Sequence, residues 1–304
     1  MMKKRRLAKK INTFLTILVF FLLAVLFLII FYQKMQITQL TGNISGIYGQ
    51  ETENQAAEEE LLIGIVAKEI GVDREDAAIK AQCVIARTNL YSARETGTEL
   101  PEHLNREQMK ELWGDYFPAA YRRISKALQE TKGETLVYNG HLIYAAYHAV
   151  SSGNTRNMEE LYPDAKMPYL ISRECYEDSM APDYLGVYYW SREEFLELCR
   201  AQNPDAGLTD CSQIQVAQRD SAGYVLTVQL GNNSCTGEAF RESLNLKSAN
   251  FTIAEQDDKI RIVTKGLGHG FGLSQYTAEK MAEGGSSYEE ILAYFFPGST
   301  LQHE

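Results

Sequence analysis

A chain of 304 residues, 45% hydrophobic and 23% charged, is long enough to bury one large core or two small ones. Its formal net charge is −10, and the leader MMKKRRLAKK contributes +6, which leaves −16 on the rest. So acidic a body argues against a nucleic-acid partner, which needs a basic patch, and against long-range attraction to anionic polymers; it leaves sugar chains open.

Residues 1–13 read as a basic cytoplasmic leader. Phe14 to Tyr32 is almost continuously apolar, broken only by Thr16, and is long enough to span a bilayer. The cations before it have no equivalent cluster after it, which orients the remainder outside the cytoplasmic membrane. No small-x-small site follows in FYQKMQITQL, so the span is expected to stay as an anchor rather than be cleaved. Residues 33–57 are polar and weakly periodic, and read as a tether. Residues 58–304 are expected to form the extracytoplasmic domain. The fold class is therefore α+β: an N-terminal transmembrane helix, then a mixed domain of helices and antiparallel hairpins.

Leu61 to Gly97 predicts two helices broken at Gly71-Val72. Leu62, Ile65, Val66, Glu69 and Ile70 fall at helical spacing, so Glu69 borders an apolar stripe, and Gly71 stops the helix. Asp73 is expected to cap the second helix, with Asp76 at the capping-box position and Ala77, Ala81, Val84, Thr88 and Tyr91 on its inner face. A carboxylate on the last turn of a helix meets the negative end of the dipole, and apolar neighbours desolvate it; both favour its protonated form. Glu69 is thus a candidate general acid, with an ordinary surface glutamate as the alternative.

Two further helices fit Asn105–Trp113 and Pro118–Thr131, with Arg122 and Arg123 on a solvated face. Trp113, Tyr116 and Phe117 are suited either to stacking on sugar rings or to core packing. TLVYNGHLIYAAYHAV is a hairpin turning at Asn139-Gly140 and leading to His148 and Ser151-Ser152-Gly153. Residues 158–190 are expected to form a long irregular loop. Ser191 should cap a helix through Leu198, with Glu194 completing a capping box. SQIQVAQRD pairs with GYVLTVQL, TGEAFRESL is a short helix, and NFTIAEQDDKIRIVTKG turns at Asp257-Asp258. GLGHGFGLSQ carries glycines at alternate positions around His269; its spacing is not that of a dinucleotide loop. It suits either tight turns that present amides and His269 to a substrate or a packed turn. Helices at Gln275–Glu283 and Ser287–Phe296 follow. The five cysteines all fall in the expected external part; Cys83 reads as a buried thiol, and the other four allow three pairings.

EIGVDREDAAIKAQCVIART, YHAVSSGNT and GLGHGFGLSQYTA together resemble, in order, three motifs of the SpoIID/LytB (stage II sporulation protein D) family. The resemblance spans nearly all of the chain outside the expected membrane segment. It implies a peptidoglycan lytic transglycosylase that remodels the wall during engulfment in sporulation, with Glu69 as the matching catalytic acid. Arg87 would brace the site or bind substrate, and Ser151, His269, Gln275 and Tyr276 would contact substrate. A wall amidase and other engulfment proteins are implied partners. The family also includes amidase enhancers, so the alternative is a non-catalytic wall-binding module that stimulates an amidase. Ile70-Gly71 stands where Met-Pro is usual, and Ser-Ser-Gly replaces Ser-Gly-Gly. Some relatives hold zinc with His and Cys near the middle motif; here His148 has no cysteine close by before Cys175, which argues against a metal and leaves no cofactor expected.

Overall fold

The computed structural model describes residues 33–34 and 55–303. The basic leader, the apolar span 14–32 and most of the tether lie outside the described residues; among those described, no helix is long and apolar enough to cross a membrane. Residues 59–304 form one compact unit.

The unit is organised on a central helix. Residues 55–69 form α1, and α2 runs Asp76–Thr96. α3 is Arg106–Trp113 and α4 is Phe117–Glu130. One side of α2, through Ile79, Cys83, Ala86 and Leu90, packs on α1, α3 and α4. Its other side, through Ala81, Val84 and Ile85, packs on a second core that includes Phe271, Ile291 and Phe295. Each of the Val, Ile, Leu and Phe side chains among them contributes about 1.5–3 kcal/mol on burial. α2 is therefore buried nearly all round rather than on the single face expected. Its start also differs: Glu75 is the N-cap and makes no side-chain cap bond. Glu279 reaches across instead, its two carboxylate oxygens accepting from the Glu75 N–H at 3.1 and 2.9 Å. Arg123, expected on a solvated face, donates to Asp76 and to the carbonyls of Val72 and Arg74, holding the 71–75 turn.

β1 (Glu134–Tyr138) and β2 (His141–Leu142) form the hairpin at Asn139-Gly140, both at positive φ as a tight two-residue turn demands. β3 is Tyr147–His148. The 158–190 stretch contains more structure than a loop. It holds the one-turn helix α5 (Met158–Leu161), short 3₁₀ turns and a seven-residue strand, β4 (Leu185–Ser191). α6 (Arg192–Gln202) starts with the Ser191/Glu194 capping box. β5 (Ile214–Arg219), β6 (Val225–Leu230) and β7 (Asn233–Thr236) form one antiparallel sheet, followed by α7 (Gly237–Ser243). β8 (Phe251–Gln256) and β9 (Lys259–Lys265) turn at Asp257-Asp258 and join β4 in the order β4-β9-β8. These two sheets, α6 and α7 enclose a third core around Phe195, Phe240 and Phe251. β10 (Leu273–Ser274), α8 (Gln275–Glu283) and α9 (Tyr288–Phe295) complete the second core, and β11 (Thr300–His303) returns to pair with β1. All five cysteines are free thiols, and burial pushes Cys83 up to about 12.

Candidate active site

The two-residue parallel pairing of β3 with β10 joins distant parts of the sequence, setting Tyr147 opposite Leu273 and His148 opposite Ser274. The glycines after β9 make that approach possible. At Gly270 (φ 85°) a Cβ would sit 2.5 Å from the Tyr224 ring, and at Gly272 (φ 68°) one would sit 2.0 Å from the Ala146 carbonyl oxygen. No other residue type combines that conformation with that closeness.

A groove of about 480 Å³ opens beside this junction, lined among others by Glu69, Asn89, Glu99, Tyr144, Tyr147 and His269. Glu69 stands half-buried at the last turn of α1. Burial raises its carboxyl above the ordinary glutamate value; a hydrogen bond from Tyr147 and the charge of Lys68 oppose this, and Glu102 adds to it. Glu99 is solvent-exposed. The Tyr147 hydroxyl is pushed well up by burial and by the carboxylate it faces, so it stays a donor. His269 holds Tyr147 in turn. Its Nδ1 accepts the Phe271 N–H at 3.1 Å, and the ring bonds the Tyr147 backbone. With desolvation as the main cause, His269 is pushed down to about 3, so its imidazole is neutral and acts as a brace rather than a proton carrier. Behind it, His148 donates from Nδ1 to the Phe271 carbonyl at 3.0 Å and is pushed by burial down to about 4.

Of the residues singled out from sequence, Glu69 and His269 line the groove. Gln275 comes to the same place from behind: its Nε2 donates to the Glu69 carbonyl oxygen at 2.9 Å, capping the end of α1. That bond fixes the backbone of Glu69 and leaves its carboxyl to the groove. Arg87 does not come to the groove. It is 4% exposed, and its guanidinium donates to the carbonyls of Leu128, Thr131 and Glu134, closing the end of α4. Ser151 is fully buried and ties its segment to Asp178, which accepts from the Ser151 N–H and from the Ser274 and Thr277 hydroxyls. Tyr276 is half-buried, its N–H bonded to Ala149 and its ring 5.4 Å from the Lys280 ammonium. Trp113 and Phe117 pack on the core around α1 and α2, and the groove aromatics are Tyr144 and Tyr147.

Sequence reading missed Tyr147, Asp178 and Arg156. Arg156 is wholly buried, bonded to Asp220 at 2.6 Å and Glu238 at 2.5 Å, and sandwiched between Tyr224 and Phe271. Tyr147 carried a signal, since it lies in the middle motif one residue before His148; Arg156 directly follows that motif. Asp178 carried none, because its partners lie 27 to 99 residues away. Among the described residues no group of three or more His, Cys, Asp or Glu is arranged to hold a metal ion.

The family model described as stage II sporulation protein matches residues 49–138. The stage II sporulation protein D of Bacillus amyloliquefaciens is 33% identical over 254 residues, covering 79% of this chain and 72% of that protein. That of Bacillus subtilis (strain 168) is 29% identical over 269 residues, covering 82% and 77%. An amidase enhancer of the same organism is 28% identical over 291 residues, covering 79% of this chain but 40% of that protein.

Proposed function

The chain belongs to the stage II sporulation protein D family, and from that premise we propose that it is a lytic transglycosylase acting on peptidoglycan glycan strands during sporulation, with Glu69 as its acid and base. The observation that carries this is a desolvated carboxyl, raised above its ordinary range, opening on a groove with a tyrosine hydroxyl beside it. A protonated Glu69 donates to the oxygen bridging N-acetylmuramic acid and N-acetylglucosamine as oxocarbenium character develops. The resulting carboxylate then takes the proton of the muramoyl C6 hydroxyl. That oxygen attacks C1 within the same sugar, giving a 1,6-anhydro ring. The nucleophile is already attached, so effective concentration replaces an activated water and no second carboxylate is needed. The Tyr147 hydroxyl steadies the carboxylate between the two proton transfers, and neutral His269 and Gln275 keep both residues in place.

The anchor reading belongs to this proposal: residues 14–32 hold the chain in the membrane and residues 58–304 face the wall. Protease added to intact protoplasts should then remove the domain. The likeness to an amidase enhancer supports a second reading, a wall-binding module that stimulates a separate amidase without cutting glycan.

Purified peptide-free glycan strands separate these readings. The full-length chain should release 1,6-anhydro-muramoyl ends, and Glu69→Gln should lower that release at least ~100-fold, the low end for a general acid–base group. Reducing ends would instead mean hydrolysis and point to the exposed Glu99 as the base for water. No cleavage by the parent, with amidase stimulation intact in the variant, would leave the binding module.

A further inference from the structure

β4 is an edge strand. It pairs with β9 on one side, in unbroken register from Leu185↔Lys265 to Ser191↔Lys259, and no described strand pairs with its other side. Natural sheets blunt such edges with proline, bulges or charges on the edge strand itself. β4 has none of these between Leu185 and Ser191. Its outward residues Leu185, Val187 and Tyr189 are 55%, 48% and 53% exposed, an apolar row beside an open ladder.

The neighbouring strands give that face a sign. Opposite Tyr189 and Leu185 stand Arg261 and Lys265, and Lys259 is opposite Ser191. By the same pairing, Thr252, Ala254 and Gln256 continue the face on β8, so its three strands carry cations and no acid. Lys259 lies within electrostatic reach of Glu194. Arg261 and Lys265 have neither ion pair nor side-chain hydrogen bond among the described residues, and the Arg261 Nε is buried without a partner. The face is thus cationic on a chain whose formal net charge is −10.

We propose that the β4 edge is a docking site for a partner protein that adds an extended, acidic segment as a fourth strand. The open ladder supplies main-chain hydrogen bonds; side chains of the added strand alternate between the two faces, the apolar ones falling beside Tyr188 and Trp190 on the core side and the acidic ones beside Leu185, Val187 and Tyr189, where they reach Arg261 and Lys265. A second copy of this chain fits poorly, because its β4 edge, LGVYYWS, carries no acid to meet Arg261 and Lys265. The proposal does not rest on Glu69 or on glycan cleavage.

The test uses the full-length chain in detergent, followed by hydrogen exchange. The probes are a capped decapeptide of alternating valine and glutamate, its valine–lysine counterpart, and phosphatidylglycerol vesicles. The glutamate peptide should slow exchange at residues 185–191 and bind at least tenfold more tightly than the lysine peptide. Arg261→Glu should weaken it at least tenfold, and Lys265→Glu, at an exposed position, provides the same reversal if the first variant fails to fold. Equal binding of the two peptides, protection elsewhere, or no protection at millimolar peptide would overturn the proposal. So would vesicle binding that Arg261→Glu abolishes while the glutamate peptide leaves 185–191 unprotected, which would make the face a lipid contact.

Discussion

Two charged centres touch the 266–277 loop, and they are wired differently. At Arg156 the guanidinium is fully buried, yet it bonds two carboxylates and the His269 carbonyl oxygen and lies between two aromatic rings. At Glu69 the loop supplies Gln275 to the backbone carbonyl only, and the carboxyl meets a neutral tyrosine. Desolvation acts on both. Where counter-charges surround the group they lock the fold; where they do not, the carboxyl moves toward its neutral form and becomes useful as an acid.

The widest separation between the centres should appear on removing each charge. Arg156→Leu strands the buried Asp220 carboxylate, while Glu238 keeps Arg241, and should cost about 3–5 kcal/mol in urea unfolding. A cost below about 1 kcal/mol would reduce this centre to the rank of a surface ion pair. Glu69→Gln should do the opposite: activity falls while the fold holds. Its pH dependence has a definite sign. Because burial raises the folded-state value of Glu69 above the unfolded one, its contribution to stability is fully present below the unfolded value and is lost as pH rises through the folded value. Glutamine does not titrate, so the variant should gain on the parent as pH rises through that window. Unfolding curves at successive pH values in which the parent gains on the variant would reverse the assignment of a raised carboxyl.

How much of this was readable from sequence follows the same division. The local devices were: the Asn139-Gly140 and Asp257-Asp258 turns, the Ser191 capping box and the helix after Gln275 each depend on neighbours within a few residues. β4 and β11 escaped notice because their partners are remote and β4 lies within a stretch rich in Pro, Tyr and Asp. In the site, the position of Glu69 at a helix end beside apolar residues could be read directly. The diversion of Arg87 to the carbonyls of α4 could not, since it requires knowing that α4 ends against the middle of α2. Nor could the burial of Ser151, which follows from Asp178 reaching it through a 3₁₀ turn.

A finer comparison isolates the hydrogen bond from Tyr147 to the carboxyl. The Tyr147 hydroxyl favours the charged form of Glu69, so Tyr147→Phe should raise the carboxyl further. In a pH–rate profile for anhydro-product release, the alkaline limb that reports loss of the acid should move to higher pH. His269→Phe, by loosening Tyr147 without touching the carboxyl, should move it in the same direction by less. An alkaline limb that stays put in Tyr147→Phe would mean the hydroxyl does not bond the carboxylate in solution.

The smallest effects should come from the rim. Lys68 lowers the Glu69 value and Glu102 raises it, and the two form an ion pair with side chains 36% and 77% exposed. Lys68→Met should therefore shift the alkaline limb up and Glu102→Gln should shift it down, with the double variant nearer the parent than either single one. Water and salt screen both charges. At about 1 M salt the Debye length falls to about 3 Å, and the two shifts should largely vanish. The displacement in Tyr147→Phe should persist, because a direct hydrogen bond is not screened by mobile ions. If all three shifts collapse together in salt, the acid is tuned by its exposed rim charges rather than by the groove, and the contrast with the buried Arg156 centre would lie in exposure instead of pairing.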